Sequence, residues 1–456
     1  MSFASLKEMK GLTELQPFSG ELTGVSIDSR TVSEGNLFVA LKGDKFDGHN
    51  FLDSAISNGA SAVVVSRKWN SENEHSINDS VGFYTFVDTL LFLGQYANMH
   101  RNLKKQPIVG ISGSNGKTTV KEMTALVLSK IGNVHKTKGN LNNHIGVPLT
   151  LLEMNDSTDY AVIEMGINHP GEMTYLCSIA EPDVALITNV ELAHIEFFGS
   201  VDRVAKAKGE LFTGMAVGGT AIVNIDDSHI KALAENLDKK LTYSLHVDAD
   251  MRGKILRIED DSRAVVEFNG CEPFTLNVLG KKMAENAIAA AAIGLKFAVP
   301  LPDICEAIES YRGFKGRMNR LEVAGRIVID DSYNANPASV EFALNSLSAF
   351  TSSSKKIVVI GDMLELGSHS EEEHRQIGRK LSAAGFDAVY AYGTETKVTI
   401  DEAQKEGSKE AVHFESKEEM TETLMNFSAP GDVILVKGSR GMQMEEVITL
   451  MTGNAN

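Results

Sequence analysis

Short apolar strands alternating with helical segments predict an α/β chain. Two further observations sharpen that reading. The chain has 456 residues, and at about 150 residues per domain this suggests about three domains. The later strands also end in Gly or polar residues: Glu164 after Val162-Ile163, Asn189 after Ile187-Thr188, Asp330-Asp331 after Val328-Ile329, Gly361-Asp362 after Val359-Ile360, and Lys437-Gly438 after Leu435-Val436. Ligands of open parallel sheets bind beyond the carboxyl ends of the strands. Two such crests predict a cleft between two domains.

The elements follow in order. Region 1–105 has strands at 37–41 and 62–65, with a helix from Phe51 to Asn58 closed by Gly59. The polar, basic stretch Asn98 to Pro107 reads as a boundary linker. Region 106–318 opens with the strand Ile108 to Ile111, a glycine loop, and a helix from Lys117 to Lys130. Val120, Met123, Val127, Leu128 and Ile131 share one face of that helix. Strands follow at 161–163, 185–187 and 221–223, and the apolar-polar alternation at 241–279 predicts antiparallel strands. Region 319–456 has strands at 327–329, 356–360, 388–390 and 433–436.

Composition excludes several classes. Hydrophobic residues make up 43%, enough to bury a core in each region. The formal charge of −17 argues against a general nucleic-acid coat, which needs a basic face, but not against a small local nucleotide cradle. Cys177, Cys271 and Cys305 are odd in number and widely spaced. They match neither a disulfide framework nor a zinc cluster, and suggest a reducing cytoplasm. Charges in the first ten residues argue against a signal peptide, and no apolar run reaches the ~18–20 residues that span a bilayer. The expectation is a soluble, cytoplasmic protein without membrane insertion.

Gly113-Ser114-Asn115-Gly116-Lys117-Thr118-Thr119 lies between a strand and a helix. Glycines let backbone N–H groups curl around phosphate oxygens, and the helix N-terminus adds positive potential. Lys117 would neutralise the β- and γ-phosphates, and the Thr118 hydroxyl would reach Mg²⁺. The first glycine falls three residues before Gly116, where the longer phosphate-loop pattern has five. A plain glycine turn capping a helix is the bland reading, and the strand–loop–helix context favours the nucleotide.

The short loop with Thr118-Thr119 after the lysine resembles the Mur ligases, the ATP-dependent amino-acid ligases of peptidoglycan synthesis. The resemblance implies a three-domain fold. Its parts are an N-terminal UDP-binding α/β domain (1–105), a central mononucleotide-binding parallel sheet (106–318) and a C-terminal Rossmann-like domain (319–456). It implies ATP and two Mg²⁺, with Glu164 and His194 as metal ligands and Lys208 of Ala207-Lys208-Gly209-Glu210 carbamylated into a further one. A carbamate presents carboxylate-like oxygen to hard Mg²⁺. Read without the resemblance, Glu164 is a surface carboxylate, His194 a structural histidine and Lys208 a solvated lysine, with Lys206 equally eligible.

Gly280 to Ala287 resembles the family's G-x-H-N-x-x-N-A segment. Asn286 matches the adenine-contacting Asn, while Lys282 and Met283 replace His-Asn and inherit no role. The resemblance gives Arg317 to ATP phosphate, Asp331 to ribose, and Tyr333, Asn334 and Asn336 to the substrate cleft. Asn334 to Pro337 also reads as a turn.

Four further segments point to one branch of the family: 28–49, 138–148, 359–367 and 436–446. They imply a ligase that adds D-alanyl-D-alanine to UDP-N-acetylmuramoyl-tripeptide through an acyl phosphate. The D-N-P-R motif of the diaminopimelate-adding relative is absent, and Gly361-Asp362-Met363 stands in its neighbourhood. Ser29, Arg30, Asn142 and Asn143 would hold the UDP end, and Lys437 and Arg440 the substrate carboxylates. The residues alone leave a polar turn at 28–30 and a surface pair at 437 and 440. The implied enzyme works as a monomer. Rival readings are another ligase of the same fold, a phosphate-loop switch or motor, and a non-catalytic nucleotide scaffold.

Overall fold

The computed structural model describes residues 3–18, 20–73, 80–191, 195–351 and 354–453. Three sheets succeed one another along the chain. The first contains β1 (Thr13–Gln16), β2 (Gly24–Ser26), β3 (Asn36–Val39), β4 (Ala60–Ser66) and β5 (Gly82–Phe86), in the order β1-β5-β4-β3-β2. β2 to β5 pair in parallel and β1 runs antiparallel to β5. The predicted helix after β3 forms as the 3-10 turn Gly48–Phe51 and the helix Leu52–Ser57. Gly59 closes it at φ +107, where a Cβ would come within 2.9 Å of the Glu34 backbone.

The stretch expected as a linker is the end of a long helix, Thr89–Lys104. Its polar residues dock rather than connect. His100 Nε2 lies 2.9 Å from Met154 O, Arg101 Nε donates to Ala180 O at 3.0 Å, and Lys104 Nζ donates to Asp156 at 2.5 Å. All three are buried. Lys105, at φ 62, ends the helix, so the turn into the second sheet is short.

The second sheet holds β6 (Ile108–Ser112), β7 (Val134–Lys136), β8 (Tyr160–Glu164), β9 (Val184–Ile187), β10 (Thr220–Asn224), β11 (Lys240–Ser244), β12 (Met251–Ile258), β13 (Arg263–Phe268) and β14 (Phe274–Leu279). Their order is β14-β13-β12-β11-β10-β9-β6-β8-β7. The chain leaves β6 toward β8 and later returns to its other side at β9. β6 is therefore the topological switch point, where a crevice opens beyond the strand ends. The predicted antiparallel insertion is corrected in part: β12 to β14 are antiparallel, but β11 pairs in parallel with both β10 and β12. The helix Ser228–Leu233 between β10 and β11 makes the crossover that a parallel pair requires.

The third sheet holds β15 (Asn319–Val323), β16 (Arg326–Asp331), β17 (Lys356–Gly361), β18 (Ala388–Tyr392), β19 (Ala411–Phe414) and β20 (Val433–Lys437), in the order β15-β16-β20-β17-β18-β19. Only β15 is antiparallel to its neighbour. The edge strands β15 and β19 escaped the sequence reading because β15 mixes Asn319, Arg320 and Glu322 with its apolar residues and β19 is only four residues long.

The helix after the glycine loop, Lys117–Leu128, buries Val120, Met123, Val127 and Leu128 completely. Ile131 lies beyond its end and is 38% exposed, so it does not belong to that face. The alanine-rich helix Lys282–Lys296 packs against the same helix. Small side chains allow that close approach. The apolar core then continues without a break through Met283 and Met318 to Ile329 and Val358 of the third sheet.

Candidate active site

The glycine loop sits at the carboxyl end of β6, and its shape depends on two glycines. Gly113 is at φ +143 and Gly116 at φ +83. A Cβ on Gly113 would fall 1.8 Å from Thr188 Oγ1, and one on Gly116 would fall 2.2 Å from Asn286 Oδ1. Asn286 is thus pressed against the loop, in reach of whatever the loop holds. The crest beyond β9 locks the loop from the other side. Ser114 N–H donates to Asn189 O at 2.9 Å, Asn115 N–H donates to Asn189 Oδ1 at 2.9 Å, and Thr188 Oγ1 donates to Asn115 O at 2.5 Å. Asn189 stands on the predicted crest, but no local pattern marks it and Thr188 as braces of the loop.

Lys117 folds back over the loop and donates to Gly113 O at 2.8 Å and Ser114 O at 3.1 Å. Burial lowers its ammonium to about 8, Glu164 opposes that shift, and Arg317 adds to it. Thr118 and Thr119 are buried in the first turn of the helix.

Glu164, at the end of β8, is 2% exposed. Its Oε1 accepts from Asn142 Nδ2 at 2.8 Å. Its Oε2 is buried without a hydrogen-bond partner among the described residues, and Lys121 Nζ stands 3.7 Å away. Lys121 is fully buried and donates to Thr137 O at 2.8 Å. It was missed because a lysine on a helix reads as solvated until its neighbours are known.

Lys208, on the helix Val201–Thr213, is 1% exposed. Lys206, two residues before it on the same helix, faces solvent. Among the described residues no hydrogen bond or carboxylate reaches the Lys208 amine. Burial, with Lys117 nearby, holds it well below the ordinary lysine value. His194 lies outside the described residues. Among the described residues no group of three His, Cys, Asp or Glu forms a ready metal centre.

The third sheet faces this cluster across the crevice. Arg317, in the loop before β15, carries a buried Nε with no hydrogen-bond partner among the described residues, and its guanidinium lies 4.0 Å from the Tyr333 ring centre. Asp331 accepts from Lys437 Nζ at 2.5 Å and from Met318 N–H at 3.1 Å. Lys437 is 2% exposed and also donates to Asn334 O at 3.0 Å, so its ammonium is engaged inside the domain. Asn336 starts the helix Pro337–Ser348, where its Oδ1 accepts from Ser339 N–H at 2.8 Å. Its Nδ2 crosses to the glycine loop and donates to Asn115 Oδ1 at 2.9 Å. A pocket of about 60 Å³ remains, lined by Asn115, Gly116, Asn286, Arg317, Asp331 and Lys437 among others.

The structure gathers the loop, Glu164, Lys208, Asn286, Arg317, Asp331, Asn336 and Lys437 around one crevice. Others lie apart. Ser29 is buried in the first sheet's layer, where its carbonyl accepts from Asn58. Arg30 is exposed and pairs with Asp28 at 2.6 Å, which holds the Asp28 carboxyl down at about 2. Asn142 turns toward Glu164, and Asn143 Oδ1 accepts from Gly146 N–H at 2.9 Å at the start of the next helix. Arg440 is exposed, pairs with Glu445 at 2.5 Å, and stands 6.0 Å from the centre of the Tyr333 ring on which Arg317 lies.

Comparison with known proteins gives matches along the whole chain. Residues 111–294 match the Mur ligase middle domain, 316–440 the Mur ligase glutamate ligase domain, and 21–101 the Mur ligase family catalytic domain. The chain is 37% identical to UDP-N-acetylmuramoyl-tripeptide–D-alanyl-D-alanine ligase of Escherichia coli K12, over 97% of this chain and 96% of that protein. A crystal structure of MurF from Acinetobacter baumannii superposes with a TM-score of 0.86 at 32% identity, covering 96% of this chain and 95% of the other. MurF ligase of Thermotoga maritima in complex with ADP superposes with a TM-score of 0.81 at 28% identity, covering 95% and 97%.

Proposed function

The chain belongs to the Mur ligase family, and on that premise we propose that it joins D-alanyl-D-alanine to UDP-N-acetylmuramoyl-tripeptide at the expense of ATP. The observation that carries this reading is the meeting of two crests. A phosphate loop with Lys117, Glu164 and Lys208 faces Arg317, in the loop before β15, and Asp331, at the end of β16. End-to-end similarity to D-alanyl-D-alanine-adding ligases selects the substrates. A switch or motor is disfavoured by that similarity, and a scaffold by the intact charged cluster.

The terminal carboxylate of the tripeptide attacks the γ-phosphorus of ATP. A P–O bond forms to the carboxylate, the bond to the β-phosphate oxygen breaks, and ADP leaves. The amine of the dipeptide then attacks the acyl carbon, phosphate departs, and the nitrogen gives up a proton. The product is UDP-N-acetylmuramoyl-pentapeptide. Lys117 neutralises charge on the β- and γ-phosphates, and the loop's N–H groups bind their oxygens. Arg317 offers its free Nε–H to the same phosphates. Asn286 meets the adenine and Asp331 the ribose.

The donors fit a hard divalent cation, because Glu164 keeps one buried oxygen free of hydrogen bonds among the described residues. Thr118 and Glu164 would hold Mg²⁺, with His194 and a carbamate on Lys208 completing sites for two ions. When bound, Mg²⁺ offsets phosphate charge during transfer. An uncharged Lys208 amine is the form that attacks CO₂: an N–C bond forms as one C=O π bond opens onto its oxygen, the nitrogen gives up one proton, and the neutral amine becomes an anionic carbamate. Its lowered affinity for protons supports that step.

A pocket of about 60 Å³ is far below the ~300 Å³ of a small-molecule site. Nucleotide therefore enters once Asn336 and its helix withdraw from Asn115, and their return excludes water from the reacting groups. We assign 1–105 to the UDP end, 106–318 to ATP and 319–456 to the dipeptide. Ser29, Arg30 and Asn143 are assigned to the nucleotide-sugar. Tyr333, Asn334 and Arg440 are assigned to the closing cleft. Lys437 reaches the substrate carboxylates there after release from Asp331. Among the described residues no helix is long and apolar enough to cross a membrane. We place the reaction in the cytoplasm and assign it to a monomer.

The test is phosphate release with ATP, UDP-N-acetylmuramoyl-tripeptide and D-alanyl-D-alanine, leaving out one at a time. Sustained release is expected only with all three. Equal release without the dipeptide, or none with the full mixture, would refute the proposed reaction.

A further inference from the structure

Cys271 and Cys305 are far apart in sequence, yet their Sγ atoms lie 3.1 Å apart. Cys271 sits in the turn after β13, part-exposed, and its sulfur accepts from Phe268 N–H at 3.4 Å. Cys305 lies on the helix Leu301–Ser310, 8% exposed, and directs its S–H at Cys271. That helix packs on β14 and on the phosphate-loop helix. The third cysteine supplies the contrast. Cys177 is 2% exposed and no other cysteine sulfur among the described residues reaches it; burial raises the thiols of Cys177 and Cys305 alike, so contact between sulfurs and not acidity sets the pair apart.

We propose that Cys271 and Cys305 form a reversible thiol–disulfide modification site that responds to hydroperoxides. Solvent reaches Cys271, so Cys271 meets the oxidant, and Cys305 waits within contact distance as the resolving thiol. The Cys271 thiolate attacks one peroxide oxygen. An S–O bond forms, the O–O bond breaks, and the released hydroxide takes up a proton as water. The Cys305 sulfur, having lost its S–H proton, attacks the Cys271 sulfur. The S–S bond forms, the S–O bond breaks, and a second water leaves. The two cysteines lose two electrons and the peroxide gains them. Closing the pair needs the sulfurs to approach by about 1 Å, within the reach of side-chain rotation. The bond would pin the β13–β14 turn to a helix that supports the phosphate loop.

The test treats the full-length protein with hydrogen peroxide and follows intact mass and non-reducing peptide maps. The expected result is loss of two hydrogens, a Cys271–Cys305 linked peptide pair, and full reversal by dithiothreitol. Cys177→Ser should keep the link, while Cys271→Ser and Cys305→Ser should each abolish it. A Cys305→Ala variant, which packs without a hydroxyl, should instead accumulate oxidised Cys271. Oxidation of Cys271 to the sulfinic acid in the unaltered protein, with Cys305 still free, overturns the proposal. So does modification of Cys177 ahead of the pair.

Discussion

Replacing Gly116 by Ala tests whether the loop and Asn286 form one nucleotide-binding unit. Gly116 is at φ +83, and an added Cβ would fall 2.2 Å from Asn286 Oδ1. A left-handed residue with a Cβ costs about 1 kcal/mol or more. Turning Asn286 off its rotamer costs about 1 kcal/mol again. Together these give roughly 2 kcal/mol, or about thirty-fold at ~1.4 kcal/mol per tenfold. KM for ATP should rise by that order in an ADP-release assay with both other substrates saturating, and ADP affinity should fall in parallel by calorimetry. Gly385→Ala is the control: φ is +65 there, with nothing within 4 Å of the new Cβ. It should lower stability by about 1 kcal/mol and leave KM unchanged. If Gly116→Ala leaves KM for ATP within about twofold, or if Gly385→Ala raises it equally, the steric reasoning fails.

Other outcomes follow from the same geometry. Lys208→Ala should reduce turnover by about a hundredfold or more, the scale of losing one electrostatic group at a reacting phosphate. Added formate or acetate should recover part of it, and near-normal turnover in the variant would remove the carbamate. Lys437→Met leaves Asp331 buried without its cation, which should cost about 3 kcal/mol in urea unfolding. Asp331→Asn combined with Lys437→Met should regain about half, and a single-variant cost near zero would contradict the buried-pair reading. Burial depresses the proton affinity of His100. The unfolded chain therefore binds a proton that the folded chain refuses as pH falls below about 6.5, so stability declines on the acid side. His100→Gln should make that decline shallower by up to about 1.4 kcal/mol per pH unit, and an unchanged slope would count against His100 as its source.

Much of the candidate site is legible in sequence because it is local. The loop from Gly113 to Thr119 reads as a unit, since strand, glycines and helix follow one another within a dozen residues. Strand-end residues such as Glu164 and Asp331 were found because parallel strands put their carboxyl ends on one crest. Motif resemblance then selected Lys208, Asn286 and Arg317 from many equivalent types, and burial of Lys208 against exposed Lys206 agrees with that selection. The helix through Asn98 to Lys104 was misread as a linker for the converse reason. Its His, Arg and Lys look solvated in sequence, yet their partners lie on distant segments at 154, 156 and 180.

The sequence by itself determined the α/β class, the positions of many strands and the strand–loop–helix form around Gly113 to Thr119, because periodicity and turn residues act over a few positions. Only the tertiary structure decided who meets whom. Asn115 and Asn336 touch across 221 residues, Lys437 finds Asp331 across 106, and Cys271 finds Cys305 across 34. Those pairings are set by how the sheets stack and which helix faces bury apolar surface, a property of the whole core that no local spacing encodes. The third sheet's closeness to the glycine loop is of this kind, since the shared core around Met283 and Met318 holds the two crests together.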